Sequence, residues 1–390
     1  MSAPGSDADV PATPRLWTVA AIGGGMTLVA GLVAGSDRAW AAWLVAGEFV
    51  LGLGLGGLFF VSLLYVTGSS WAVAFRRVPE AMAATLPASA IAILALLLFR
   101  PSGYPWFHGL AAHEGPLAAF KVAWLSYPFF VARAVAYFVV WIVLASALVR
   151  QSRHQDLDGD ERHSSRNVAL SAGGLVLFAI TVSLASFDWI MSLEPNWYST
   201  IFAVYQFAGL FQSALAAMII AVVWLHRRGP LRDILGEHHL HDLGKLLFAF
   251  SSFWMYIWFS QYMLIWYANI PEETTYYVER TQGAWGVLFL LDMLLNWAVP
   301  FLVLLRRPPK QRPEILVKVA AVVLIGRWLD LYLMITPVKT GPVPPFGLWE
   351  VASIVLVAGA SIVLVLRALR RAPIVPLNDP LLAHSLHYHS

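Results

Sequence analysis

The sequence predicts an all-α integral membrane protein of about ten transmembrane helices, arranged as two four-helix bundles plus two peripheral helices. Composition, the recurrence of long apolar runs and the distribution of positive charge between loops carry that expectation. The 390 residues are 59% hydrophobic and 13% charged, with a mean hydropathy of +0.67. Soluble domains have about 45–50% apolar and about 25% charged residues, so a soluble globular fold is excluded. The net charge of +3 gives no reason to expect a nucleic-acid partner. There is no cysteine, which removes disulfides, thiolate nucleophiles, iron–sulfur ligation and covalent haem attachment.

Apolar runs fall at roughly 16–34, 40–66, 81–99, 123–149, 168–187, 199–225, 244–268, 283–305, 315–337 and 347–367, each long enough to cross about 30 Å of hydrocarbon. Residues 1–15, with acids and prolines and no basic start, read as a short solvated tail and not a cleavable signal. The first run follows Arg15, and the second carries Glu48 within AGEFVLGLGLGG. The third lies between Arg76–Arg77 and Arg100, and the fourth begins after Lys121 and contains Arg133. The fifth is closed by Asp188, and the sixth ends at Arg227–Arg228. The seventh follows Lys245 and is rich in Trp and Tyr; the eighth contains Asp292. The ninth contains Arg327 and Asp330 and ends at Pro337, and the tenth precedes Arg367, Arg370 and Arg371. Residues 16–368 therefore form one transmembrane domain, followed by a tail at 369–390.

Nineteen lysines and arginines fall in one set of alternate loops and five in the other. Positive charge accumulates on the cytoplasmic side, so both termini are expected there. A weak repeat relates GGLFFVSLL (56–64) to AGLFQSALA (208–216). Asp188 and Pro195 recur as Asp330 and Pro337 at the same spacing. A displacement of four helices preserves direction and gives two parallel four-helix bundles.

Ionisable side chains inside spans cost about 2.5–3.5 kcal/mol on insertion scales and face a partner, a cavity or a pathway. Glu48, Arg133, Asp292, Arg327 and Asp330 qualify. Arg133, Tyr137 and Trp141 share one helical face, as do Asp292 and Asn296. A purely structural reading pairs Arg327 with Asp330, and Arg133 with Asp292 or Glu48. Two arginines cannot neutralise three carboxylates, so at least one acid is expected to be protonated or water-linked, a proton carrier for which Glu48 is the first choice. The alternative is a neutral carboxyl hydrogen-bonded to a neighbouring helix. All eleven histidines lie outside the spans or at their ends, so no axial ligand for a membrane haem is available and no metal site is expected. The HHLHD run at 238–242 and the HSLHYHS tail read as solvated segments. Residues 156–167 fail as a calcium loop, with Glu161 and Asn167 at the positions that need Gly and Glu. The outward segments SFDWIMSLEPNWYST (186–200) and SQYMLIWYANIPEETTYYVER (260–280) read as aromatic interface anchors. Their Asp188, Glu194, Gln261, Glu272 and Glu273 could equally cradle a quinol head group or pass protons outward.

Three long segments carry a resemblance: FDWIMSLEPNWYSTIFAVYQFAG, LGKLLFAFSSFWMYIWFSQYMLIWYANIPEETTYY and FKVAWLSYPFFVARAVAYFVVW. They are similar to the NrfD-like membrane subunits of alternative complex III, a quinol:cytochrome c oxidoreductase, and match best the smaller ActF-type subunit (quinone-binding subunit 2). The resemblance covers nearly the whole chain, including NDPLL in the tail. It implies ten helices in two four-helix bundles plus two peripheral ones, in a multisubunit complex of a bacterial inner membrane. The expected partners are a second NrfD-like subunit, a multihaem c-type cytochrome, an iron–sulfur subunit, lipids and in some assemblies a terminal oxidase. Haem c and the iron–sulfur clusters would then reside in the partners, and the one small molecule compatible with this chain would be a quinol or quinone. The expected role is assembly and proton conduction, without catalysis by this chain alone. Arg133, Tyr137, Asp188, Gln261, Glu272 and Glu273 lie inside the matching motifs. A proton-coupled secondary transporter and the membrane anchor of a molybdenum-type reductase are the alternatives.

Overall fold

The computed structural model describes residues 10, 14–109, 116–232 and 234–388. Most of the N-terminal tail, together with His113 and His389, lies outside the described residues. Ten long helical rods occupy the ten expected positions. They are α1 (Arg15–Val33), α2 (Asp37–Thr67), α3 (Arg77–Phe99), α4 (Tyr127–Asp158), α5 (Arg162–Trp189), α6 (Phe202–Arg228), α7 (Glu237–Ala268), α8 (Gly283–Leu304), α9 (Pro313–Ile335) and α10 (Leu348–Leu369). No strand occurs among the described residues. Eight of these helices are long and apolar enough to cross a membrane; α7 and α9 are as long but less apolar. The reason is visible in their composition: α7 is dense in Trp, Tyr, Ser and Gln, and α9 carries Lys318, Arg327 and Asp330.

Several helices outrun their apolar segments. α4 continues to Asp158, α5 begins at Arg162 and α7 begins at Glu237. Hydropathy registers only the part of a helix in hydrocarbon, whereas the backbone hydrogen-bond ladder continues through polar residues into the interface. Local stops are chemically explicit. Ser36 accepts a hydrogen bond from the Ala39 amide to cap α2 (3.2 Å), and Gly68 ends the same helix in the left-handed region (φ 60°).

α2, α3, α4 and α5 form one four-helix bundle, and α6, α7, α8 and α9 form the second. The bundles meet where α2 lies on α6, the two most deeply buried of the apolar helices. Close approach here requires glycine. A Cβ on Gly52 would stand 3.3 Å from Leu210 Cβ, and one on Gly56 would collide with Ala214. The two halves of the sequence repeat thus face each other at the centre of the molecule. Phe59 fills the space beside them, edge-on to Phe207 and Phe211 at centroid distances of 4.9 and 4.8 Å. α1 and α10 form an antiparallel pair at the periphery, also through glycines: a Cβ on Gly24 would lie 2.8 Å from the Ala352 carbonyl, and one on Gly359 2.6 Å from the Ala21 amide. The outer surface exposes bare apolar side chains such as Ile22 and Met26 of α1, Val139 and Val143 of α4, and Val287 and Leu290 of α8. In water such a belt would be untenable, whereas in lipid it is the expected solvent face. The chain is a multi-pass integral membrane protein.

Candidate functional site

Each bundle buries one aspartate near the end of its last helix, and each aspartate has an arginine and a tyrosine. In the first bundle, Asp188 of α5 is 1% exposed and accepts from Arg133 Nε (2.9 Å) and Nη2 (2.8 Å). It also accepts from the Trp124 indole (2.8 Å) and the Tyr137 hydroxyl (2.9 Å). Arg133 spends its remaining donor on the Trp124 carbonyl (2.8 Å), with Trp124 stacked 4.0 Å from the guanidinium carbon. Both oxygens and the whole guanidinium fork are therefore occupied, the geometry that makes a buried ion pair tolerable. This corrects the sequence expectation that Arg133 pairs with Asp292 or Glu48. Asp188 closes the fifth helix, and only the folded loop shows that its side chain turns inward. Tyr137 and Trp141 do share the Arg133 face; Trp141 donates to Thr181 on α5 (2.8 Å).

In the second bundle, Asp330 of α9 pairs with Arg327 one turn earlier on the same helix, as expected, and accepts from the Tyr205 hydroxyl of α6. Arg327 Nη2 also donates to Gln206 Oε1 (2.8 Å). Gly209 makes room for this guanidinium, since any Cβ there would meet Arg327. Asp292 is 1% exposed and lines a cavity of about 20 Å³ together with Asp330, Tyr205, Gln261 and Arg280. Its one side-chain partner is Asn296 (2.8 Å). Asn296 sits in a π-helical turn, Leu294–Ala298, that interrupts α8, and its carbonyl accepts from Gln212 of α6 (2.6 Å). Gly326 of α9 leaves space for the Asn296 amide, which a Cβ would approach to 2.8 Å. Such π turns recur at functional sites, where the widened helix re-aims side chains.

Glu48 of α2 faces a second cavity of about 20 Å³, between the bundles, that Gln206 and Arg327 also line. Its Oε1 is buried and has no hydrogen-bond partner. Each cavity has room for about one water. Because Arg133 is committed to Asp188, Arg327 is left as the arginine for Glu48, Asp292 and Asp330. Two buried acids lack a partner of their own, one more than the sequence tally required.

The outward candidates divide. Gln261 is buried, donates to the Tyr277 hydroxyl (2.9 Å) and accepts from Ser199 (3.1 Å). Glu194, half-buried, pairs with Arg280 at 2.6 Å. Glu272 and Glu273 lie on the short helix Pro271–Thr281, Glu272 exposed and Glu273 half-buried, and neither lines the cavity. Sequence reasoning placed Arg280 among the loop charges. It is 2% exposed, stacks on Tyr276 at 3.6 Å and donates to the Leu333 and Met334 carbonyls (2.9 and 3.1 Å). Arginine is the one residue of the outward segments able to bridge loop carboxylate and helix-end carbonyls, and that was its only signal. Tyr205 and Gln206 also escaped notice, as two polar residues in an apolar run. Together these groups form a continuous polar file: Glu48, Gln206–Arg327, Asp330, Asp292 with Gln261, then Arg280–Glu194 at the aromatic face.

Fold and site thus define an all-α integral membrane protein with a file of ionisable groups through its interior. No protein-family model matches the chain, and no curated protein matches it.

Proposed function

We propose that the chain is a cofactor-free membrane subunit of a quinol-oxidising respiratory complex of the alternative complex III type, and that it conducts protons for that complex. It would span a bacterial inner membrane ten times, with both termini cytoplasmic. Haem c and iron–sulfur clusters would reside in partner subunits, beside a second NrfD-like subunit. The observation that carries this reading is the polar file from Glu48 to Glu194. A carboxyl without a counter-ion at Glu48, a fixed positive charge at Arg327 and the Asp330–Asp292 pair beside a water-sized cavity can hold and pass a proton stepwise. Arg327 sets the direction of transfer electrostatically, because a proton on Glu48 leaves it free to neutralise the Asp330–Asp292 pair. Glu194 would receive the proton at the outer end, where quinol chemistry would take place, with Gln261 hydrogen-bonding the water that carries it. The long motif matches supply the choice of complex.

Purification in mild detergent tests the assembly: native electrophoresis should retain multihaem c-type and iron–sulfur partners, and recovery of the chain alone would overturn it. For conduction, Glu48→Gln and Asp330→Asn should leave the complex assembled and lower the protons moved per electron. An unchanged ratio in both would overturn that role. The interruption of α8 at Leu294–Ala298, followed by Pro300, favours a second reading, since secondary transporters place substrates at broken helices. Proton-driven uptake by the reconstituted chain alone would establish it instead. Co-purification with a molybdenum-containing subunit would point to a reductase anchor.

A further inference from the structure

The arginine-rich end of the first bundle contains a second buried polar cluster, and the chain's own C-terminal segment lies across it. Arg76 and Arg77, at the start of α3, are 3% and 4% exposed. Both pair with Glu80, and Arg77 also pairs with Asp156 of α4. Ser152 of α4, 1% exposed, donates to Glu80 (2.8 Å) and accepts from Arg77 (2.9 Å). Deeper in the bundle lies the Tyr65 hydroxyl, with Asn167 and Ser152 as its polar neighbours. Asn167 Oδ1, Ser171 Oγ one turn further along α5 and Ser62 Oγ on α2 are buried with no protein partner. Buried polar atoms are nearly always satisfied, and water satisfies those that the protein does not. A run of such atoms would draw water into an otherwise apolar bundle.

The segment 373–388 closes that inlet from outside. Asp379 pairs with Arg76 at 2.6 Å, Asn378 donates to the Asp156 carbonyl (2.9 Å), and the Leu377 amide donates to Asp156 Oδ1 (3.1 Å). The short helix Leu382–Leu386 then anchors the end: Ser385, wholly buried, donates to the Trp71 carbonyl and accepts from the Ala74 amide, both at 3.0 Å. Its carbonyl accepts from His239 (3.1 Å), and Tyr388 donates to Asp242 (2.6 Å). These contacts are mainly polar; Ile374, Val375 and Pro376 are buried, and Leu382 and Leu386, half-buried, pack on the core. Segments of that kind open locally at a fraction of the global unfolding free energy.

We propose that residues 373–388 form a lid that docks through Asp379 and Ser385 and controls the entry of water and protons to a polar inlet at the arginine-rich end of the first bundle. This stands independently of the respiratory reading, because it concerns solvent access alone.

The chain contains no cysteine, so single thiols report without background. In the full chain, Ser152→Cys, beside Arg77, and Ala74→Cys, at the residue whose amide binds Ser385, place thiols under the lid, and Leu157→Cys, at a position 83% exposed, serves as the open control. With a membrane-impermeant maleimide, both lidded thiols should react at least about tenfold more slowly than the control. Adding Asp379→Asn, or Ser385→Trp as an independent wedge, should raise their rates by about tenfold while Leu157→Cys is unchanged. Fast labelling of both reporters in the otherwise native chain would overturn the proposal. So would protection that survives both lid substitutions in a chain that keeps its helical circular dichroism.

Discussion

The two buried aspartates occupy equivalent helices of the two bundles and do different work. Asp188 receives four donors, from Arg133, Trp124 and Tyr137, and its arginine comes from a different helix, so the pair ties α4 to α5. Asp330 takes its arginine from its own helix, ties α6 through Tyr205 alone, and looks onto a cavity shared with a second acid. The first arrangement is saturated and shut; the second is under-supplied with positive charge and open to water. A repeated fold thus offers the same position twice, and where the arginine stands on the sequence decides whether the aspartate is saturated or left beside a spare carboxyl. A buried ion pair with every lone pair filled has nowhere to pass a proton. The proposed conduction needs the second arrangement, in which a spare carboxyl and room for a water lie beside the pair.

This contrast can be broken most directly at Asp188. Asp188→Ala strands the Arg133 guanidinium without a counter-charge and should cost about 3–5 kcal/mol. A thermal melt of the detergent-purified protein would read this as a large fall in the unfolding midpoint; a wild-type midpoint would refute the clamp. Asp330→Asn keeps an acceptor for Tyr205 and leaves Arg327 with Gln206 and with Asp292 across the cavity, so its cost should be smaller, about 1–3 kcal/mol. If it destabilises as much as the Asp188 variant in the same melt, the two sites are equivalent after all. Glu48→Gln should be nearly silent in stability, within about 1 kcal/mol, because the Glu48 Oε1 atom makes no hydrogen bond to lose. It should nonetheless slow proton movement through the second site, and a silent result in both assays would remove Glu48 from the file.

The smallest effect is expected at the arginine-rich end, where the lid over the first bundle is anchored on α7 of the second. Burial pushes the His239 imidazole below its ordinary value, with the Ser385 carbonyl and Asp242 partly opposing that and the His238 charge adding to it. Tyr388 packs against the ring, and its hydroxyl, held by Asp242, is pushed up to about 12 and does not titrate in the same range. His239 Nδ1 accepts from the Gly236 amide (3.1 Å), so the neutral ring fits and a proton on Nδ1 would set donor against donor. The docked state therefore binds fewer protons than the undocked one. Docking is complete above an ordinary histidine pKa of about 6.5 and weakens as pH falls below it. A nitroxide at Leu377→Cys should gain mobility on acidification from neutral pH, and His239→Gln should abolish that pH dependence.

Much of the architecture was legible in the sequence, because one rule dominates it: apolar length sets each rod, and arginine sets the loops. All ten rods stand where the apolar runs placed them, and the pairing of Arg327 with Asp330 followed from helical spacing. The partner of Arg133 did not, because the packing of α5 on α4 brings Asp188 to it, and periodicity within one helix does not say which helices touch. The burial of Arg76, Arg77 and Arg280 was hidden for a related reason. An arginine next to a span reads as solvated unless one knows that a carboxylate far along the chain, Asp379 or Glu194, comes to meet it. The HHLHD run was likewise misread as solvated: His239 is 1% exposed and Asp242 6%, where Ser385 and Tyr388 of the C-terminal segment return to meet them, and His241 is 9% exposed. The π turn of α8 left no mark in the sequence, since a single extra residue per turn does not change an apolar run.

The glycine contacts between α1 and α10 have a consequence for biogenesis. The chain is made from its N-terminus, so α1 reaches the bilayer before the other nine rods and α10 after them. Gly24, at which a Cβ would run into the α10 backbone, waits beside lipid through the synthesis of more than three hundred residues before its partner exists. The first rod inserted is thus the last to be completed, and α10, by closing on α1, seals the order of assembly as well as the edge of the fold.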